Sequence, residues 1–330
     1  MKFLIAGLGS IGRRHLRNLL ALGEKDIILF RTHQSTLADD ELAGFPVESD
    51  IQRALEHKPD AVIISNPTAL HMQVAVPCAQ VGCAIFIEKP IAHQLDDLRP
   101  FEQEINKHKN IVFSAFQFRF NPGLRKLAEL LGSQTAGRPL SFSCHWGEYL
   151  PDWHPWEDYR KSYAARGGMG GGVVLTLCHP LDYLRWLFGE AAALFSFTGR
   201  LSDLEVDAED YAETVIQFRS GVTGCLHLDY YRRPKRHDLE ITCAEGVLFW
   251  DYLTSSVRLS RPDGSVQEFP PPAGYKRNDM YLEEMRHFFS LLKNESEENL
   301  CGFEDGKKAL ELVWAVMHSG RYGRKVVFDD

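Results

Sequence analysis

The chain has 330 residues, 44% of them hydrophobic and 25% charged, with a formal net charge of −8. That length exceeds what one hydrophobic core usually organises, so two domains are expected. The acidic balance disfavours a nucleic-acid surface or an anionic membrane face, both of which draw on clustered Lys and Arg. No apolar run approaches a membrane span, and Met1 leads directly into strand-like KFLIA, so a cytoplasmic protein is expected. Seven scattered cysteines include no CxxC, and no HExxH or paired Cys/His spacing is present, so reduced thiols and no metal site are expected.

In chain order, KFLIA (2–6) predicts a short buried strand, and an amphipathic helix follows from about Ile11 to Leu22, closed by Gly23. IILF (27–30) predicts a second strand, Asp50 seeds a helix to about His57, and AVIIS (61–65) predicts a third strand. Thr68 caps an expected helix reaching Val81, and AIFIE (84–88) reads as the next strand. A helix from about Asp97 to His108 and the strand IVFSAF (111–116) complete the series. This alternation implies βαβ units and a parallel sheet covered on both faces.

Gly7-x-Gly9-x-x-Gly12 alone is a weak signal, but here a strand precedes it and a helix opens from it, through Ser10 and Ile11. Gly7 permits the tight turn, Gly9 a close approach of backbone to pyrophosphate, and Gly12 close helix–strand packing. The helix amides then face the phosphates. The ribose selector is expected at the end of the second strand, where an NAD enzyme usually carries a carboxylate. Here Phe30-Arg31-Thr32-His33 offers none. Arg31 suits a 2′-phosphate, which favours NADP; a solvated Arg stacked on adenine, compatible with NAD, is the alternative.

IFIEKPIAH (85–93) places two opposite charges at the mouth of a buried strand, with a proline directly after. Ligands of such folds sit beyond the carboxyl ends of the strands, where Lys89 is delivered. Its ammonium can hydrogen-bond a substrate hydroxyl and stabilise a developing alkoxide. A cis Lys89–Pro90 bond suits so tight a turn. The competing interpretation is a solvated Glu88–Lys89 salt bridge of little energetic worth.

GLGSIGRRH (7–15), SNPTALH (65–71), IEKP (87–90), FRFNP (118–122), GGGVVLTLCHPLDYLRWLFG (170–189) and EDGKKALELVWAVMHSGRYGRKV (304–326) occur in one order along the chain. Together they resemble the glucose–fructose oxidoreductase / inositol dehydrogenase (Gfo/Idh/MocA) family, and the resemblance covers essentially the whole chain. It implies an NAD(P)-dependent oxidoreductase acting on a sugar, sugar derivative or cyclitol. It also implies an α/β Rossmann domain (1–120) and an α+β domain (121–330) built on a large open, mainly antiparallel sheet. The last helix, about 304–320, is expected near the first domain. The resemblance gives Lys89 the role of catalytic lysine, and His179 that of the histidine that serves as general acid/base or positions the reacting hydroxyl. It places Asn66, Pro67, His71 and Glu88 with Lys89 around the cofactor.

Beyond Asn121 the strands LSFSCHWGEY (140–149), YAETVIQFRS (211–220), VTGCLHLDYYR (222–232), DLEITCAEG (238–246) and VLFWDY (247–252) predict antiparallel meanders. Their apolar face requires cover by helices or by a second copy, so a homodimer or homotetramer is expected. Thr176, His179 and Asp182, spaced three apart, are expected on one helix face, kinked by Pro180. The family usually carries Asp one turn before this His; here Leu175 or Thr176 stands there, and Asp182 is a candidate replacement. The loop 148–166 offers Tyr149, Trp153, His154, Trp156, Lys161 and Arg166 as substrate contacts, or as an aromatic-stapled interface. Arg119 and Asn121 are substrate candidates or hinge residues. A non-catalytic dinucleotide-binding regulator and an NAD-dependent glycosidase are the alternatives to a dehydrogenase.

Overall fold

A computed structural model describes residues 1–31, 40–296 and 298–329. The chain forms two compact units: Met1–Phe116 with Gly168–Gly170 and Tyr281–Leu310, and Gln117–Gly167 with Gly171–Met280 and Glu311–Asp330. Among the described residues, no helix is long and apolar enough to cross a membrane.

The first unit holds strands β1 (Lys2–Ala6), β2 (Asp26–Phe30), β3 (Val47–Glu48), β4 (Ala61–Ile64), β5 (Ala84–Glu88) and β6 (Val112–Ala115). They form one six-stranded parallel sheet in the order β3-β2-β1-β4-β5-β6. The order reverses between β1 and β4. Strands β4, β5 and β6 are buried throughout, as continuous apolar runs covered on both faces must be. β3 escaped the sequence because two residues at an edge carry no periodicity.

Between the strands run α1 (Ser10–Ala21), α2 (Ile51–Glu56), α3 (His71–Gln80) and α4 (Leu98–His108). Asp50 caps α2, its Oδ1 accepting from the amides of Gln52 at 2.9 Å and Arg53 at 3.0 Å. The single helix expected from Thr68 to Val81 is instead a 3₁₀ turn, Thr68–Leu70, followed by α3. From the C-terminal part of the sequence, Phe288 packs edge-on to Phe86 at 5.5 Å, and Phe289 lies 5.4 Å from Phe3. A methyl on Gly306 would collide with Ser114 Oγ and Ile91, so only glycine lets that helix come so close.

The second unit opens with α5 (Pro122–Gly132) and β7 (Pro139–Gly147), then α6 (Val173–Thr176), α7 (His179–Phe188) and β8 (Ala191–Gly199). Strands β9 (Tyr211–Phe218), β10 (Thr223–Asp229), β11 (Arg236–Cys243), β12 (Gly246–Asp251), β13 (Ser256–Ser260), β14 (Val266–Phe269) and β15 (Val326–Val327) follow. Helices α8 (Arg277–Leu292) and α9 (Phe303–Tyr322) each run from one unit's residues into the other's. The nine-stranded sheet has the order β14-β13-β12-β11-β7-β10-β9-β8-β15. Every neighbouring pair is antiparallel except β7 with β10. Phe142, Cys144 and Trp146 of β7 are buried on one face, while Ser141, Ser143 and His145 alternate to the other.

The helix expected to carry Thr176, His179 and Asp182 together is two helices, broken at Leu177 and Cys178. Thr176 ends α6, whereas His179 and Asp182 begin α7. Pro180 lies in the first turn of α7, where its missing N–H has no acceptor to lose, so it starts a helix rather than kinking one.

Candidate active site

In the first unit most of the cofactor candidates expected from the sequence gather where β1, β4 and β5 end. Gly7 follows β1 with φ +92°, and a side chain there would strike the backbone of Asn66. A methyl on Gly12 would collide with the Gly7 carbonyl and with Ser65 Oγ, which donates to Ala6 O at 3.0 Å and Gly7 O at 2.9 Å. Gly9 differs: a methyl there meets nothing within 4 Å. That open space lies before α1, whose first turn has no acidic residue and whose N-cap makes no side-chain hydrogen bond. Ser10 is exposed and Ile11 half-buried. The first amides of a helix lack intrahelical acceptors, and here backbone donors face an uncrowded space. These residues fit a dinucleotide pyrophosphate.

Asn66, after β4, donates through Nδ2 to Leu70 O at 3.0 Å; its buried Oδ1 has no hydrogen-bond partner among the described residues. Pro67 opens the 3₁₀ turn. His71 is buried, with Nε2 2.9 Å from Asn66 O and Nδ1 3.3 Å from Ile91 O. Burial lowers its pKa against the raising influence of those carbonyls. A neutral ring has a single N–H, so it donates to one of the two carbonyls it lies between. Arg31 is buried at the end of β2, its amide donating to Glu48 O at 3.0 Å, while the Glu48 carboxylate meets His57 Nε2 at 2.9 Å. Thr32, a cofactor candidate, lies outside the described residues.

Glu88 and Lys89 are not a surface salt bridge. Glu88 is buried, with Oε1 2.8 Å from His15 Nε2 and Oε2 accepting from the Lys89 amide at 3.3 Å. Lys89 is half-buried, and the Lys89–Pro90 bond is cis. Glu284 of α8 is buried, and neither carboxylate oxygen has a hydrogen-bond partner among the described residues. Burial, and then the charge of Glu88, raises its pKa well above the usual carboxyl value. The His15–Glu88 contact carried no sequence signal, because the two residues lie 73 positions apart.

In the second unit His179 is buried, edge-on to Phe118 at 4.8 Å and stacked near Trp146 at 5.8 Å. Its Nε2 lies 3.1 Å from Gln117 Nε2. With the amide –NH₂ facing it, this ring nitrogen is the acceptor when the ring is neutral. Gln117 stands directly before FRFNP, and only its polarity within FSAFQFRF marked it. A second imidazole, His237, stacks on Trp146 at 4.2 Å, and burial drives its pKa well below the usual histidine value. Thr176 is buried against the Tyr230 hydroxyl.

Asp182 is engaged by Arg119: Nη2–Oδ1 is 2.6 Å and Nε–Oδ2 is 3.0 Å, both side chains buried. Asn121 caps α5, its Oδ1 accepting from Gly123 at 2.9 Å and Leu124 at 3.1 Å. These three substrate candidates bind their own unit together. In the 148–166 loop, Tyr149 lies under the Arg233 guanidinium at 4.0 Å, and Trp153 meets Tyr230 edge-on at 5.5 Å. His154 and Trp156 rings are 5.2 Å apart, with Trp156 65% exposed. Lys161 and Arg166 are exposed.

Residues 1–116 match the oxidoreductase family, NAD-binding Rossmann fold, and residues 124–249 match the GFO/IDH/MocA C-terminal domain. The chain is 27% identical to myo-inositol 2-dehydrogenase of Thermotoga maritima, over 100% of this chain and 99% of that protein. It is 26% identical to scyllo-inositol 2-dehydrogenase (NAD(+)) of Bacillus subtilis, over 98% and 95%. Among solved structures, levoglucosan dehydrogenase in complex with NADH superposes with a TM-score of 0.88 at 18% identity, over 100% of this chain and 99% of that one.

Proposed function

Because the chain belongs to the Gfo/Idh/MocA family of NAD-binding oxidoreductases, we propose that it interconverts a secondary alcohol and a ketone on a sugar, sugar derivative or cyclitol. The observation that carries this reading is the shared edge of the parallel sheet. The glycine loop after β1, Asn66 after β4 and Lys89 after β5 all leave the carboxyl ends of adjoining parallel strands, which is where ligands of such sheets bind. The relatives whose names specify inositol support the substrate class.

A bound nicotinamide dinucleotide supplies the hydride acceptor or donor. The chain's own residues do the rest. The Gly9 and α1 amides hold the pyrophosphate. The Lys89 ammonium binds the reacting oxygen and stabilises the negative charge that grows on it as its proton leaves in oxidation, or as hydride adds to the carbonyl in reduction. His179 takes the hydroxyl proton at Nε2 in oxidation, as the Gln117 amide yields that lone pair to the substrate hydroxyl, and returns it in reduction. Until then Gln117 keeps Nε2 free of a proton. Tyr149, Trp153, His154 and Arg166 are the proposed substrate contacts of the 148–166 loop.

For the cofactor we favour NADP, with Arg31 meeting the 2′-phosphate; comparing kcat/KM for NAD and NADP in the wild type and in Arg31→Ala tests it. Homo-oligomerisation through the open sheet is supported by Phe197 and Val215, exposed on β8 and β9; light scattering reads it. Cytoplasmic residence is supported by seven cysteines that form no disulfide; cell fractionation checks it. The activity itself is tested with a panel of cyclitols and sugars, following nicotinamide absorbance. Reduction with at least one supports the reading; tight cofactor binding without redox change across the panel favours a regulator instead.

A further inference from the structure

On the face of the nine-stranded sheet opposite the Trp146–His179 stack, His145, His227 and Asp229 bring three ligand atoms within 4.8 Å of one another. Asp229 Oδ2 lies 3.0 Å from His227 Nε2 and 3.7 Å from His145 Nε2. We propose that these three side chains form a site for a zinc-class divalent transition metal, with the fourth position left to water.

The donor set is the first argument. Two imidazole nitrogens and one carboxylate oxygen are the ligands of three-residue zinc sites. Metal–ligand bonds of about 2.0–2.1 Å in a tetrahedron place donors about 3.3–3.5 Å apart, and the two measured edges straddle that spacing. The imidazole rings stack at 4.3 Å with 27° between planes, so both present their Nε2 edge to the same oxygen.

The surroundings are prepared for a cation. Asp229 Oδ1 is occupied by the amides of Tyr231 at 3.0 Å and Arg232 at 2.7 Å, which turns Oδ2 toward the histidines. A methyl on Gly147 would collide with that same Oδ2, so the glycine makes room for it. Glu213 Oε2 lies 2.6 Å from His227 Nδ1. A carboxylate on the distal nitrogen is the usual partner of a ligating histidine. His145 Nε2 is buried, lies beyond hydrogen-bond range of Oδ2 and has no hydrogen-bond partner among the described residues. It is a nitrogen aimed into the cluster, with the Asp229 carboxylate standing off at 3.7 Å.

The location supplies a reason for the site. His145 belongs to β7 and His227 with Asp229 to β10, the one parallel pair among the described strands of this sheet. Parallel ladders are slightly less stable per residue than antiparallel ones, and a metal would clip this pair together.

Tag-free protein, stripped with EDTA and dialysed, is titrated with Zn²⁺ by calorimetry and loaded with Co²⁺ for visible absorption. The expected result is about one metal per chain and a tetrahedral Co²⁺ spectrum. His145→Ala and His227→Ala each abolish the spectrum, and Glu213→Gln, at a half-exposed residue, weakens affinity about 10–100-fold. No binding by the wild type overturns the proposal, as does binding with an unchanged spectrum in both histidine variants.

Discussion

Arg119 and Asp182 form a two-point buried ion pair, at 2.6 Å and 3.0 Å, between the turn before α5 and the first turn of α7. Two charges taken from water are held only because each satisfies the other. Removing one leaves the other stranded: Asp182→Ala should cost about 3–5 kcal/mol in denaturant unfolding. The double variant Arg119→Met/Asp182→Leu should recover most of that loss. Equal stability of wild type and Asp182→Ala would show that the pair contributes nothing.

Lys89→Ala should lower turnover roughly 10²–10⁴-fold, while the cofactor dissociation constant, followed by fluorescence, stays as in the wild type. In the proposed mechanism the ammonium acts on the reacting oxygen and leaves the Gly9 cradle untouched. Unchanged turnover removes Lys89 from the mechanism.

In the proposed mechanism Gln117 is a positioning residue, so its signature is a pH profile. Gln117→Glu sets a carboxylate 3.1 Å from the ring nitrogen that the amide now faces. It should favour the imidazolium and shift the acid limb of alcohol oxidation to higher pH. Gln117→Leu should lower kcat without that shift. Identical profiles in all three proteins exclude the positioning role.

Glu209 is half-buried, accepts from the Val174 amide at 3.1 Å, and partial burial pushes its pKa from 4.5 up to about 6. A carboxyl whose folded-state pKa is raised favours folding while protonated. Its contribution is therefore fullest below pH 4.5, falls away as pH rises to about 6, and stays lost above. The change amounts to about 2 kcal/mol. Glu209→Gln retains an acceptor without the charge, so its stability should gain on the wild type across that window. Parallel stability curves for the two proteins would contradict this.

Glu284 is expected to be uncharged at neutral pH, so Glu284→Gln should change thermal stability little. Glu284→Ala, which opens a cavity beside Glu88 and Phe288, should cost about 2–5 kcal/mol. If Gln is as damaging as Ala, the carboxylate is ionised and paired.

The Rossmann half was legible because each of its signals is local. Buried strands such as AVII and AIFIE are continuous apolar runs, Asp50 caps its own helix, and the glycine triplet carries its spacing within six residues. The second unit was less so. β13, β14 and β15 are short strands at the two ends of the sheet, and the α6–α7 break hides in a sequence whose three-residue spacing suits a single helix.

Residue order alone determined the fold class, the family and the positions of Lys89 and His179, since apolar periodicity and short motifs act over a few residues. What surrounds those groups was decided by three-dimensional packing. Glu88 turns inward to His15 across 73 positions, Gln117 meets His179 across 62, and His145 finds Asp229 on a strand far along the chain. Such pairings depend on which strands lie side by side, and strand order is a property of the folded sheet that no local pattern encodes.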